Sequence, residues 1–214
     1  MGSIESLCQR VILLDKGKIV EEGIPSSVVN RYIKGANLIS GEKIWESVST
    51  TNDPRNTILG EEIGRFKAVR VNDQYGNVCT EFSVREDIYL QMEYELFKDI
   101  RKYIEINFWL KNDRDELVFM TYDHSLYNES GCFRSKGCYT STCKISSNLL
   151  NDSTYYVMAS IQEKKVNHLR EWDVISFIVK DDWDINGARG LCRPNDKWPP
   201  AVIRPKIEWE TIRT

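Results

Sequence analysis

The sequence predicts a mainly β protein, an antiparallel sandwich carrying a short hairpin and helix at its N-terminal end. Three observations carry this expectation. From about Ile63 onward, apolar residues recur with period two, the spacing that sends alternate side chains to opposite faces of a strand. Clusters of turn-forming residues separate these runs, and helical periodicity is nearly absent among them. Before Ile63 the pattern differs: one apolar run, a glycine turn, and a helical pattern that begins at a proline.

The first segment reads as hairpin, then helix. Residues 11–14 (Val-Ile-Leu-Leu) form a short buried-strand run, and Asp15, Lys16, Gly17 and Lys18 make a turn with glycine where a positive φ costs little. Residues 19–22 return and Gly23 breaks the strand. Pro25 then opens a helix whose Val28, Val29, Tyr32 and Ile33 recur at helical spacing, and Gly35 ends it. Residues 36–60 are polar, contain Pro54, and hold no sustained period; they read as a linker or loose crossing tethered by Trp45. The expected organisation is an appendage over 1–35, a linker over 36–60, and a β domain over 61–214.

Within that domain the strands follow in order. Val69 and Val71 lead into a turn at residues 72–77. Ile88, Leu90, Met92, Tyr94 and Leu96 alternate with Tyr89, Gln91, Glu93 and Glu95, giving one dry and one wet face. Ile104, Ile106, Phe108 and Leu110 alternate in the same way with Glu105, Asn107, Trp109 and Lys111. A turn at residues 112–115 leads to a strand over 116–122, and residues 139–145, 155–162 and 174–179 repeat the pattern. The last stretch is proline-rich and ends in an expected edge strand at 207–210. Several short strands between turns argue for an antiparallel sandwich.

Composition excludes several function classes. The chain has 214 residues, 41% hydrophobic and 29% charged, and a formal charge of −3, ordinary values for a globular domain. No cluster of Lys and Arg supplies the counterion release that drives phosphate-backbone binding, so nucleic acid is not an expected partner. No apolar run reaches the roughly 18–20 residues that span a bilayer. Residues 1–5 lack the basic start and apolar core of a signal peptide, although Gly2 and Ser6 satisfy a short myristoylation pattern. The six cysteines are therefore expected to be reduced, and the sequons at Asn128 and Asn151 unused.

Motifs for catalysis are missing. There is no phosphate-binding glycine loop and no nucleophile elbow. His124 and His168 lie in polar surroundings without a nucleophile at a diagnostic spacing. Cys132, Cys138 and Cys143 are six and five residues apart, which fits no zinc spacing. Asp182, Asp184, Asn186 and Gly187 match the first half of a calcium loop, but Arg193 stands where the bidentate glutamate belongs. An Asx-rich turn is the simpler reading. A glycan-cutting pair drawn from Asp181, Asp182 and Asp184 would crowd both carboxylates onto one turn. No catalytic residue, metal or cofactor is expected.

Outward aromatics carry more information. Trp109 shares the polar register of its strand with Glu105 and Asn107, and Tyr156 shares its own with Ser160 and Gln162. Sugars present apolar C–H faces rimmed by hydroxyls, so a flat aromatic beside groups that donate and accept suits them. Trp109, Asn107, Glu105, Tyr156, Ser160 and Gln162 are the candidate carbohydrate-binding residues. The competing reading places Trp109 beneath a loop or at a subunit contact.

Residues 7–23 resemble the segment just after the switch histidine of ABC ATPases, and Pro25 with residues 28–32 resembles the proline and short helix that follow it. The rest resembles the C-terminal extension of ATP-binding subunits that export O-antigen and related polysaccharides. The strand over 63–72 with its turn, the Tyr155-Tyr156 strand, and residues 204–209 carry that likeness. The resemblance implies an immunoglobulin-like sandwich, dimeric, that reads the exported glycan at its non-reducing end. It also implies a permease partner engaged through the ATPase domain, and a place at the cytoplasmic face of the bacterial inner membrane. The alternative function is dimerisation or protein docking, with the Trp-containing tail over 198–209 as contact element, exchanged between protomers. Neither reading makes this chain an enzyme by itself.

Overall fold

The computed structural model describes residues 4, 7–15, 17–25, 28–29, 39–46, 57–58, 63–100, 104–123, 127–128, 131–132, 134–163, 166–181, 201–203, 205 and 210–212. A hairpin comes first, β1 (Val11–Asp15) with β2 (Lys18–Gly23), turning at Gly17 with φ 78°. Short strands follow: β3 (Glu42–Ile44) and β4 (Thr57–Ile58). The long strands are β5 (Gly64–Asn72), β7 (Ile88–Leu96) and β8 (Ile104–Asn112), with the short β6 (Glu81–Ser83) between the first two. Then come β9 (Leu117–Tyr122), a small pair β10 (Tyr127–Asn128) and β11 (Gly131–Cys132), and β12 (Gly137–Ile145). Two long strands close the series, β13 (Ser153–Glu163) and β14 (Val166–Lys180).

These strands build two facing sheets. The smaller runs β12-β7-β5-β3 and the larger β4-β14-β13-β8-β9, with β6 added parallel to β14; the other pairings are antiparallel. The period-two pattern explains why. In β7 the buried residues Ile88, Leu90, Met92, Tyr94 and Leu96 all face one side, and in β8 so do Ile104, Ile106, Phe108 and Leu110. With β5, β13 and β14 they form one continuous apolar core between the sheets. Each fully buried Leu, Ile or Phe contributes roughly 1.5–3 kcal/mol, which outweighs the propensity of any single strand. The outer face of the small sheet is wet: Arg70 links Glu42 on β3 to Glu93 on β7, and Arg65 meets Glu95 at 2.8 Å.

Two departures from the expected elements matter for the site. Strand β14 starts at Val166, eight residues earlier than the run over 174–179, because it pairs with β13 almost from the connecting turn. And residues inside the expected linker join the sheets, β3 against β5 and β4 against β14. Trp45 lies against Phe66 with ring centroids 5.3 Å apart, and its Nε1 donates to the buried Glu171 at 2.9 Å. The expected helix after Pro25 lies largely outside the described residues, as do the edge strand over 207–210 and most of the tail over 198–209.

One side of the sandwich is laced shut. Ser176 N donates to Ser40 O at 2.9 Å, and the segment leading into β6 bridges the sheets, with Cys79 N donating to Val71 O at 3.1 Å and Ile178 N to Thr80 O at 2.8 Å. Among the described residues no backbone hydrogen bond joins β9 to β12 on the opposite side.

Candidate functional site on the outer face of the large sheet

Strands β8 and β13 set this face through their register. Glu105 pairs with Gln162, Asn107 with Ser160, Trp109 with Met158, and Lys111 with Tyr156. Cross-strand partners share a face, and the intervening residues are core, so these eight side chains point away from it. The third column comes from β14. There Val157 pairs with Ile175 but Ala159 pairs with Glu171, so residues 172–174 bulge opposite Met158, with Asp173 at φ 51°. Glu171 and Val174 are buried, and Trp172 between them is half-buried against Trp109.

Trp109 and Trp172 meet edge to face, with centroids 5.7 Å apart and planes at 84°. Met158, the cross-strand partner of Trp109, is only 2% exposed. Lys111 Nζ lies 4.6 Å from the Trp172 ring and the Arg170 guanidinium 5.7 Å from it, so Trp172 spends its π surface on cations. Among the described residues no cation stands over Trp109.

The polar candidates divide into two sets. Asn107 and Ser160 are each 1% exposed, and the Ser160 hydroxyl donates to Asn107 Oδ1 at 2.8 Å. The Asn107 Nδ2 is buried without a hydrogen-bond partner, a cost of about 1–3 kcal/mol in an apolar setting. Tyr156 is also buried, and that burial pushes its hydroxyl pKa up to about 12, helped by the nearby Asp113 and Asp173 carboxylates. By contrast Trp109, Glu105 and Gln162 are half-buried. Gln162 Nε2 donates to Glu105 Oε2, which holds both side chains in place at one end of the face.

The register argument therefore puts all six candidates on one face, but only three reach the surface. It missed Trp172, Arg170 and Lys111. Lys111 lay in plain view as the next outward residue of its strand. Trp172 did not, because the bulge over 172–174 breaks the period that would have marked it.

Among the described residues no group of three or more His, Cys, Asp or Glu side chains could hold a metal ion. The half-calcium loop, Arg193, His124 and Cys192 fall outside the described residues, and the side chains of His168 and Cys132 are not described. Cys8, Cys79, Cys138 and Cys143 are unpaired thiols. No helix among the described residues is long and apolar enough to cross a membrane.

Comparison with known proteins gives a likeness of fold. No protein-family model matches the chain, and no curated protein matches it. Among solved structures, the C-terminal domain of Wzt superposes with a TM-score of 0.55 at 12% identity, covering 75% of this chain and 90% of that one. A Niemann-Pick type C2 protein from Japanese carpenter ant gives a TM-score of 0.40 at 13% identity over 58% of this chain and 98% of its own. The chain is a mainly β, antiparallel sandwich of the kind seen in the Wzt C-terminal domain.

Proposed function

We propose that the sandwich is a non-catalytic carbohydrate-binding module of a polysaccharide-exporting ABC transporter, and that the outer face of the large sheet binds the glycan. The observation that carries this reading is Trp109, half-buried and in edge contact with Trp172, with the Glu105–Gln162 pair two rungs away on the same face. An indole fixed by an edge contact offers a flat stacking surface at low entropic cost, and the carboxylate and carboxamide supply acceptors and a donor for hydroxyls. Asn107, Ser160 and Tyr156 act from beneath, setting the shape of the face. The Wzt-like fold and the ABC-like segment over 7–23 support the transporter setting. In this reading the glycan is O-antigen-like and bound at its non-reducing end. The module forms a homodimer at the cytoplasmic face of the inner membrane, joined to the permease through an ATPase domain. Residues 1–35 belong with that ATPase domain, and residues 61–214, completed by β3 and β4 from the segment before them, make up the module.

Calorimetric titration with polysaccharide from the source organism tests it. Trp109→Ala should weaken binding at least tenfold, the scale of one lost stacking contact. Equal affinity in the variant and the parent would remove Trp109 from the site.

One observation favours a docking role for the N-terminal part. Ile12, Leu14, Ile19 and Val20 on the β1–β2 hairpin are exposed, and a two-stranded hairpin buries too little to be stable alone. Light scattering that gives a monomer with these four residues intact would count against self-association through this hairpin.

A further inference from the structure

On the side that is not laced shut, a cleft of about 150 Å³ opens between β9 and β12. Its floor is Ile106 and Phe108 from β8, and its walls carry Thr121 and Asp123 on one sheet and Ser141 and Cys143 on the other. Beneath it lies Arg134, 1% exposed, which donates to Asp123 Oδ2 at 3.0 Å and to the Tyr94 hydroxyl. Ser141 Oγ donates to the same carboxylate oxygen at 2.7 Å, so the two sheets meet across the cleft at Asp123. The Tyr94 and Tyr139 rings stack at 5.4 Å, and the guanidinium lies 5.8 Å from each.

We propose that this cleft is a binding site for one neutral, polyhydroxylated ring of monosaccharide size, separate from the Trp109 face.

Size comes first. A cavity of this volume is of the order that holds a single six-membered ring. Charge comes next. Asp123 and Arg134 neutralise each other, so a charged ligand would lose its hydration without gaining an uncompensated counter-charge. Burial pushes the Cys143 thiol up to about 11, which keeps that wall uncharged at neutral pH. Hydrogen-bond polarity completes the argument. Ser141 gives its one hydrogen to Asp123 and also meets the Tyr94 hydroxyl, so what its oxygen has left for a ligand is acceptor capacity, and a carboxylate accepts by nature. An acceptor-rich rim over an apolar floor suits a ligand with hydroxyl donors around a C–H face. The ligand class follows from these groups alone and does not rest on the reading of Trp109.

An amide-resonance titration of the full chain with a panel of neutral methyl hexosides, and with a matched methyl glycoside of a uronic acid whose carboxylate is free, decides the matter. The expected result is saturable shifts at residues 121–123 and 141–143 with at least one neutral glycoside. The uronate should bind at least fivefold more weakly. Ser141→Ala should weaken the neutral ligand about fivefold, the worth of one hydrogen bond. Thr121→Val, which keeps the shape of the wall, serves as a second reading if Ser141→Ala does not fold. Trp109→Ala should leave the cleft shifts unchanged. No saturation by about 50 mM overturns the proposal, as do shifts confined to Trp109 and Trp172, equal binding of the uronate, or full affinity in the wall variant. Shifts at the tryptophans alone would sink the cleft and spare the outer face. Cleft shifts that survive Trp109→Ala, with no response at the tryptophans, would do the reverse.

Discussion

Ser160 and Asn107 face each other across the β8–β13 pairing, hydroxyl to carboxamide at 2.8 Å, on the side of the sheet that points away from the core. Outward residues of a sheet are normally wet, yet both are 1% exposed. The pair is thus a buried polar contact lying beside the Trp109–Trp172 cover, and its cost must be offset by what it positions. If it positions the face, removing one partner should cost more than removing both.

Ser160→Ala leaves Asn107 with no partner and should destabilise by about 1–3 kcal/mol in urea unfolding. Adding Asn107→Leu, which replaces the stranded amide by an apolar group of similar size, should recover at least half of that loss. A double variant less stable than Ser160→Ala would contradict this account.

Arg134 joins residues far apart in sequence, Tyr94 and Asp123, from a fully buried position. Arg134→Met leaves the partly exposed Asp123 carboxylate without its counter-charge, though it keeps the Ser141 hydroxyl, and should cost about 1.5–3 kcal/mol. Combining it with Asp123→Asn removes the stranded charge, so the pair should be more stable than Arg134→Met alone.

Gly64 has no room for a side chain. A Cβ there would lie 2.2 Å from the Glu95 carbonyl oxygen, part of the β5–β7 ladder. Gly64→Ala should lower stability by roughly 2–4 kcal/mol because backbone, not a flexible side chain, must move. Gly76 offers the contrast: its φ is +85° but nothing lies within 4 Å, so Gly76→Ala should cost only about 1 kcal/mol, from backbone strain. Thermal unfolding of both variants should rank them in that order.

Alkaline stability should depend on Tyr156. Its folded pKa is raised from 10.0 to about 12 by burial. Below pH 10 both folded and unfolded chains carry the neutral phenol and the contribution is constant. As pH rises from 10 toward 12 the unfolded chain ionises first, so stability falls across that window. Tyr156→Phe should flatten that part of the curve. An unchanged slope between pH 10 and 12 would show that other groups set it, Tyr94 foremost, whose hydroxyl burial also raises.

Much of this was legible in the sequence. Strands β7 and β8 appear there almost residue for residue, since strict alternation of Ile, Leu and Phe with charged and polar residues admits few other structures. The shared face of Glu105, Asn107 and Trp109 follows from the same period. Strand β14 was only half legible. Its first half runs Val166-Asn167-His168-Leu169-Arg170-Glu171-Trp172-Asp173, whose apolar residues fall three apart rather than two, and its bulge shifts the register midway. Arg134 gave no local signal at all, because it sits outside any long strand and takes its meaning from Tyr94, 40 positions away.

The sequence by itself determined the long alternating strands β7 and β8 and which of their residues share a face, because both follow from the two-residue repeat of a pleated backbone. Tertiary structure alone decided which of those residues a ligand could touch. Ser160 meets Asn107 across 53 positions, and Trp172 meets Trp109 through a bulge, so access depends on pairings between distant strands. The same is true of the cleft at Asp123 and Ser141, where the described residues join the two sheets by side chains instead of the backbone bonds that lace the opposite side.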